Sequence, residues 1–191
     1  MSKILENLHR TLLAGVILAV IVFLVVNLQN FNGAAFWQTL VKWIHVWFGI
    51  LWIGLLYYFN FVQIPSMPKI PDEHKPAIGK VIAPTALYYF RYAALGTVVF
   101  GLLTAYLNDY LHQAMSFQDG WRTIGIGMWL ALIMAANVWF VIWPNQKRVL
   151  GLVEADADSK KKSARLAMLA SRTNTMLSIP MLYCMVFQKI G

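Results

Sequence analysis

The sequence predicts an all-α integral membrane protein: one membrane domain over residues 1–191, a bundle of about five transmembrane helices, N-terminus in and C-terminus out. Three observations predict it. Hydrophobic residues make up 59% of the chain and charged residues 13%, about half the ~25% charge of a soluble domain. Long stretches carry no Asp, Glu, Lys or Arg: residues 11–41, 43–68, 92–108, 123–146 and 173–188. The Lys and Arg residues between those stretches fall mostly on alternate connections. A chain with so little polar surface cannot be wetted all round, and a mean hydropathy of +0.58 excludes disorder and an ordinary soluble enzyme. The net charge of +8 belongs with basic cytoplasmic loops, not with a nucleic-acid surface. One cysteine excludes a disulfide framework, a zinc finger and a C-x-x-C-H haem attachment.

A bilayer core of ~30 Å takes about 20 helical residues, all of whose backbone groups must bond internally. The spans are therefore placed at about 11–29, 36–63, 86–108, 123–143 and 166–188. The first follows Lys3 and Arg10 as a signal peptide would. Its apolar run is too long for that, and the small-residue site at Gly33-Ala34-Ala35 comes only after a polar stretch, so it reads as an uncleaved helix. The second is long enough to tilt or project. The connection from Ile64 to Pro84 holds five of the seven prolines and reads as a structured linker. The third span carries Ala93, Thr97 and Gly101 at four-residue spacing, a stripe for close helix contact. Before the fifth, Glu154, Asp156 and Asp158 precede Lys160–Lys162, a solvated helix start with Asp156–Lys160 and Asp158–Lys162 as i,i+4 pairs. A kink is expected at Pro180. With five spans, thirteen of the sixteen Lys and Arg share the side of the N-terminus, leaving Lys42, Arg122 and Lys189 opposite. Positive charge inside then places the N-terminus in the cytoplasm and Gly191 outside. Trp37, Trp43, Trp121 and Trp143 sit near span ends, as interfacial indoles do.

Polar groups at membrane depth each need a reason. His45 lies about 13 Å into the second span, in the outer half. Gly49 is one turn on, Trp52 two turns on, and Lys42 and Phe48 flank the same face. An imidazole with a glycine beside it and aromatic walls meets the needs of a haem b pocket, with His45 as the metal ligand and Gly49 and Trp52 as cofactor-binding residues. The structural alternative is a histidine bonded to a neighbouring helix, with glycine serving packing. His45 is the one histidine inside a span; His9 and His74 are cytoplasmic, and His112 lies near the outer surface, from which it could fold back. Met128 and Met181 stand at similar depth, and either thioether can serve as an axial ligand or as plain packing. A second set, Asn137, Arg172 and Asn174, reads as interhelical hydrogen bonding, with Arg172 snorkelling to the inner interface. No acid lies within a span, which disfavours a proton pump or cation transporter.

The run Asn137-Val-Trp-Phe-Val-Ile-Trp-Pro144-Asn145-Gln146, followed by Arg172-Thr-Asn174-Thr-Met-Leu-Ser-Ile-Pro180 and Met185, resembles the end of the membrane domain of PuuD-type bacterial urate hydroxylases. Trp43-Ile-His45-Val-Trp-Phe-Gly49 through Gly54 is similar to that domain's histidine helix and, more distantly, to that of HemJ-type haem proteins. The resemblance covers most of residues 36–188. It implies a membrane redox module, related to a urate-oxidising enzyme, that passes electrons to a periplasmic c-type cytochrome. The sequence departs from the pattern in two ways. No C-x-x-C-H cytochrome segment follows the fifth span, and the histidine of the family's H-N-N run falls at Thr173. Those departures support the other reading, a non-catalytic structural subunit of a larger respiratory or photosynthetic membrane complex.

Overall fold

The computed structural model describes residues 2–27 and 32–187; the ends of the first and fifth expected spans and Lys189 lie outside the described residues. The described chain is helical and holds no strand. After a short turn of helix at Ser2–Leu5, the main elements are α1 (Leu8–Asn27), α2 (Gly33–Lys69), α3 (Lys75–Leu107), α4 (Leu111–Met115), α5 (Arg122–Val149) and α6 (Ala157–Val186). The chain forms two compact units, Met1–Trp37 and Gln38–Gly191.

The first unit is built on α1. Asn7 starts it, its Oδ1 accepting from the Arg10 amide at 3.2 Å, the usual answer to the unpaired donors of a first turn. The side chains along Leu8–Val26 are almost entirely aliphatic and remain exposed, which in water would be prohibitive and in lipid is not. Asn32 caps the next helix in the same way, accepting from the Ala34 amide at 3.0 Å.

In the second unit, four spans were expected over residues 36–188. α2, α3 and α5 are long and apolar enough to cross a membrane, as α1 is in the first unit. α6 holds the fifth expected span but begins nine residues earlier, with Lys160–Lys162 and Arg165 in its first half and Arg172 at its middle, so it does not meet that test as a whole. α2 runs for 37 residues, about 55 Å, and α3 is nearly as long; both exceed a ~30 Å hydrocarbon layer.

Their length corrects the expected linker. Between Ile64 and Pro84 only the turn around Ile70–His74 is not helical, because the prolines are absorbed inside the helices. Proline lacks an N–H and its ring pushes away the carbonyl four residues back. Here the residue before the proline bonds five residues back instead: Ile64 to Phe59, Ala83 to Ile78, and Trp143 to Val138, ahead of Pro65, Pro84 and Pro144. Each makes a π-helical turn, which adds one residue to the turn and moves the strained carbonyl aside. Near two of these bulges an asparagine side chain donates to the carbonyl four residues back, Asn60 to Leu56 at 2.9 Å and Asn145 to Val141 at 2.8 Å. α6 carries Pro180 within an unbroken α-helix.

α6 packs along α5 for most of its length, and the core sits where they meet α2 and α3, around Trp52, Leu56, Phe90, Met134, Val138 and Met181. A smaller cluster, Ala105, Ala114, Ile124 and Met128, seats α4 against α5. The contact there is backbone to backbone: a Cβ on Gly125 would fall onto the Ala114 carbonyl oxygen. Before α6, Asp156 does not pair with Lys160. It caps the helix, accepting from the Ser159 amide at 2.8 Å and its hydroxyl at 2.7 Å, and these bonds hold its carboxyl below the usual carboxylate range.

Two outcomes follow from the packing and the cap. Gly125→Ala costs about 1–3 kcal/mol in thermal or denaturant unfolding, since a backbone carbonyl cannot move aside as a side chain can. Asp156→Asn lowers the melting temperature relative to the parent at pH 7. The gap closes as the pH falls through the carboxyl's depressed folded-state value, because a lowered pKa stabilises only while the group is ionised in the fold.

Candidate functional site

A cavity of about 670 Å³ opens between α2, α3, α5 and α6, within the 300–1,000 Å³ range of ligand and cofactor sites. His45, Gly49, Trp52 and Met181, read separately from the sequence, all line it, as does Met128. The helical period puts positions 45, 49 and 52 on one face of α2. α3 supplies the opposite wall with Thr97 and Gly101.

The histidine is held by one bond. His45 Nδ1 lies 2.8 Å from the Thr97 carbonyl oxygen. A carbonyl only accepts, so Nδ1 carries the proton and donates, which leaves the lone pair on Nε2. This is the arrangement in which a backbone carbonyl fixes the ring and tautomer of a metal-binding imidazole. The Thr97 hydroxyl is turned away, donating to the Ala93 carbonyl at 2.7 Å. Gly101 makes room for the ring: a Cβ there would lie 2.8 Å from His45 Cε1 and 3.0 Å from Nδ1. Gly96 does the same for Phe48, whose ring stacks on Phe100 at 5.7 Å. The small-residue stripe on α3 is thus the seat of the histidine as well as a packing device.

The rest of the lining is apolar, with few polar groups. Trp52 is fully buried, and its Nε1–H has no protein partner, so a donor stands in the wall with its bonding capacity unused. Lys42, Asn108 and Tyr110 line the same cavity, and no acid does. The Tyr110 ring stacks on Trp121 at 4.9 Å, and burial pushes its phenol up, so it stays neutral. Met128, Met181 and Met185 bring three thioethers. This set fits a haem: one imidazole nitrogen free for iron, soft sulfur ligands nearby, apolar walls, and cationic and neutral donors for acidic substituents. Among the described residues no three His, Cys, Asp or Glu side chains converge, so a closed all-protein metal site is not built here. His112 does not fold back; it lies exposed on α4. His9 and His74 are exposed as well.

The second set of residues divides. Asn137 Nδ2 donates to Asn174 Oδ1 at 2.8 Å and to the Ala170 carbonyl at 2.9 Å. Asn174, fully buried, donates to the Met134 carbonyl at 3.0 Å. The pair is a two-way lock between α5 and α6. Arg172 is not brought to it and lies exposed on α6. Thr173, where the related run has histidine, is exposed too, its hydroxyl donating to the Leu169 carbonyl at 3.1 Å. Sequence reasoning missed the matching lock between α2 and α6: Asn60 donates to Ser171 Oγ at 2.8 Å, and the Tyr57 and Ser178 hydroxyls lie 3.0 Å apart. Its signal was the polar spacing Ser171, Asn174, Ser178 along one helix face.

The family described as urate oxidase N-terminal matches residues 77–190, more than half of the chain, and the chain belongs to that family. The match takes in α3, α5 and α6; the His45 helix lies before it. No curated protein and no solved structure gives a significant match.

Replacement of two of the three glycines that line the cavity separates seat from space. Gly101→Ala lowers unfolding stability by about 1–3 kcal/mol by driving a methyl into the His45 ring. Gly54→Ala, which meets nothing within 4 Å, is neutral or gains up to about 1 kcal/mol in helix propensity. Asn174→Leu strands one Asn137 donor and leaves the Met134 carbonyl only its backbone bond from Val138, and costs about 1–3 kcal/mol. Chemical denaturation of the three variants in one detergent checks the order.

Proposed function

We propose that this member of the urate oxidase N-terminal family is a haem b-binding redox module of the bacterial inner membrane, an oxidoreductase component that passes electrons to a periplasmic c-type cytochrome. One observation carries the reading: His45 lines a cofactor-sized cavity with Nδ1 tied to the Thr97 carbonyl and Nε2 unused. In this reading His45 Nε2 would hold the iron, and the Met181 thioether, which lines the same cavity, would serve as a second ligand. Gly49 and Gly101 leave space beside the ring, and the Trp52 N–H donates to the bound group. When bound, haem b supplies a one-electron couple. The protein's own part is to fix the imidazole, to exclude water with aliphatic and aromatic walls, and to place Lys42, Asn108 and Tyr110 where acidic substituents need them. The one-sided Lys and Arg distribution supports a cytoplasmic N-terminus, with the cavity in the outer half of the membrane, nearest a periplasmic acceptor. A link to urate oxidation follows from the family alone.

One observation favours a second reading, a non-catalytic subunit of a larger membrane complex. The polar residues of the family run are spent on holding helices together, as in the Asn137–Asn174 pair, and Thr173 stands exposed where the related run has histidine.

The visible spectrum of protein purified from haem-replete cells decides between them. The redox module shows a Soret band that is lost in His45→Ala, while Met181→Leu keeps the haem and changes its spectrum from six- to five-coordinate. A colourless protein that takes up no added haem and co-purifies stoichiometrically with other membrane subunits supports the second reading.

A further inference from the structure

We propose that Arg91, Trp143 and Lys147 form a binding site for the phosphodiester headgroup of an anionic membrane lipid, a site separate from the cavity and independent of what the cavity holds. Arg91 on α3 lays its guanidinium on the Trp143 indole of α5, with Cζ 3.4 Å from the ring centroid. Lys147, one turn beyond Trp143, brings its ammonium to 5.9 Å from the same ring. Two cations thus converge on one indole. The ion pairs among the described residues involve other groups, and neither cation has an acidic partner.

The stack determines what is left for a ligand. Cation–π contact uses the flat face of the guanidinium, and its N–H donors point outward in the plane, in the fork that matches phosphate oxygens. The indole also holds the fork in place, so little side-chain freedom remains to be lost on binding. Two like charges at one ring repel, and an anion bridging them turns that repulsion into two charge-assisted hydrogen bonds.

Surroundings and depth select a lipid over a free anion. Tyr88, Tyr92 and Phe140, on the same two helices, are 52%, 46% and 80% exposed. They offer apolar surface to acyl chains and, at the tyrosines, rings suited to the headgroup level. Arg91 lies about 24 Å along α3 from Leu107, close to the far edge of a ~30 Å hydrocarbon layer. That is the level of a phosphodiester, at the end of the bundle where most of the Lys and Arg lie.

The test uses the full chain in detergent and measures, by native mass spectrometry, retention of phosphatidylglycerol against phosphatidylcholine. The wild type retains phosphatidylglycerol preferentially. Arg91→Gln weakens that retention about tenfold, the effect of losing one charge-assisted contact, and Arg91→Lys falls between. Lys161→Gln, which removes the same charge from the start of α6, changes nothing. Trp143→Phe weakens retention while keeping the charges, and it supplies the comparison if Arg91→Gln does not fold. The proposal is overturned if Arg91→Gln and Trp143→Phe retain the lipid as the wild type does, or if Lys161→Gln loses as much, which would show a diffuse basic field. It is also overturned if inorganic phosphate raises the melting temperature in phosphatidylcholine nanodiscs as much as phosphatidylglycerol does, which would show a free-anion site.

Discussion

Water is scarce between helices in lipid, so a polar group there must find its partner on the protein or on something the protein binds. Most of what distinguishes this bundle follows from that constraint. Asn137 and Asn174 bond to each other and to helix carbonyls; Asn60 and Asn145 bond back to their own helices where prolines loosen the turn. Threonine hydroxyls at 97, 104, 173 and 175 return to carbonyls four residues behind. The groups left over then stand out. Among them, His45 Nε2 and Trp52 Nε1 belong to one cavity, and Arg91 lies against the Trp143 indole with no acidic partner among the described residues.

The prolines show the constraint acting on the backbone. Five of seven fall between Ile64 and Pro84, which in a soluble chain would signal a break. Here Pro65 and Pro84, like Pro144 on α5, are each preceded by a residue that bonds five positions back, so the helices continue. A π-helical turn keeps backbone groups paired where an open loop would leave them bare. It also rotates the side chains beyond it relative to a straight helix. This helps explain why spacing alone did not pair Asn60, inside such a turn, with Ser171.

Glycine placement ties packing to chemistry. Gly101 and Gly96 on α3 accept the His45 and Phe48 rings of α2, so the two helices approach at the level of the imidazole. The same approach brings the Thr97 carbonyl to Nδ1. A larger residue at 101 would separate the helices and break the contact that sets the tautomer. The feature read as a packing stripe and the feature read as a ligand are therefore one device.

Much was legible in the sequence. Helical class, the apolar helices long enough to cross a membrane, and the helix face shared by His45, Gly49 and Trp52 come from composition, charge-free length and the 3.6-residue period, all local properties of the chain. The capping role of Asp156 was hidden behind the ion pairs its spacing suggested, because a carboxylate serves a cap or a lysine with the same atoms. What only the tertiary structure decided is which groups meet across helices: Thr97 with His45, Asn60 with Ser171, Arg91 with Trp143. Periodicity fixes the face of one helix. It carries no information on the rotation and axial shift of the next, which depend on how side-chain volumes interlock.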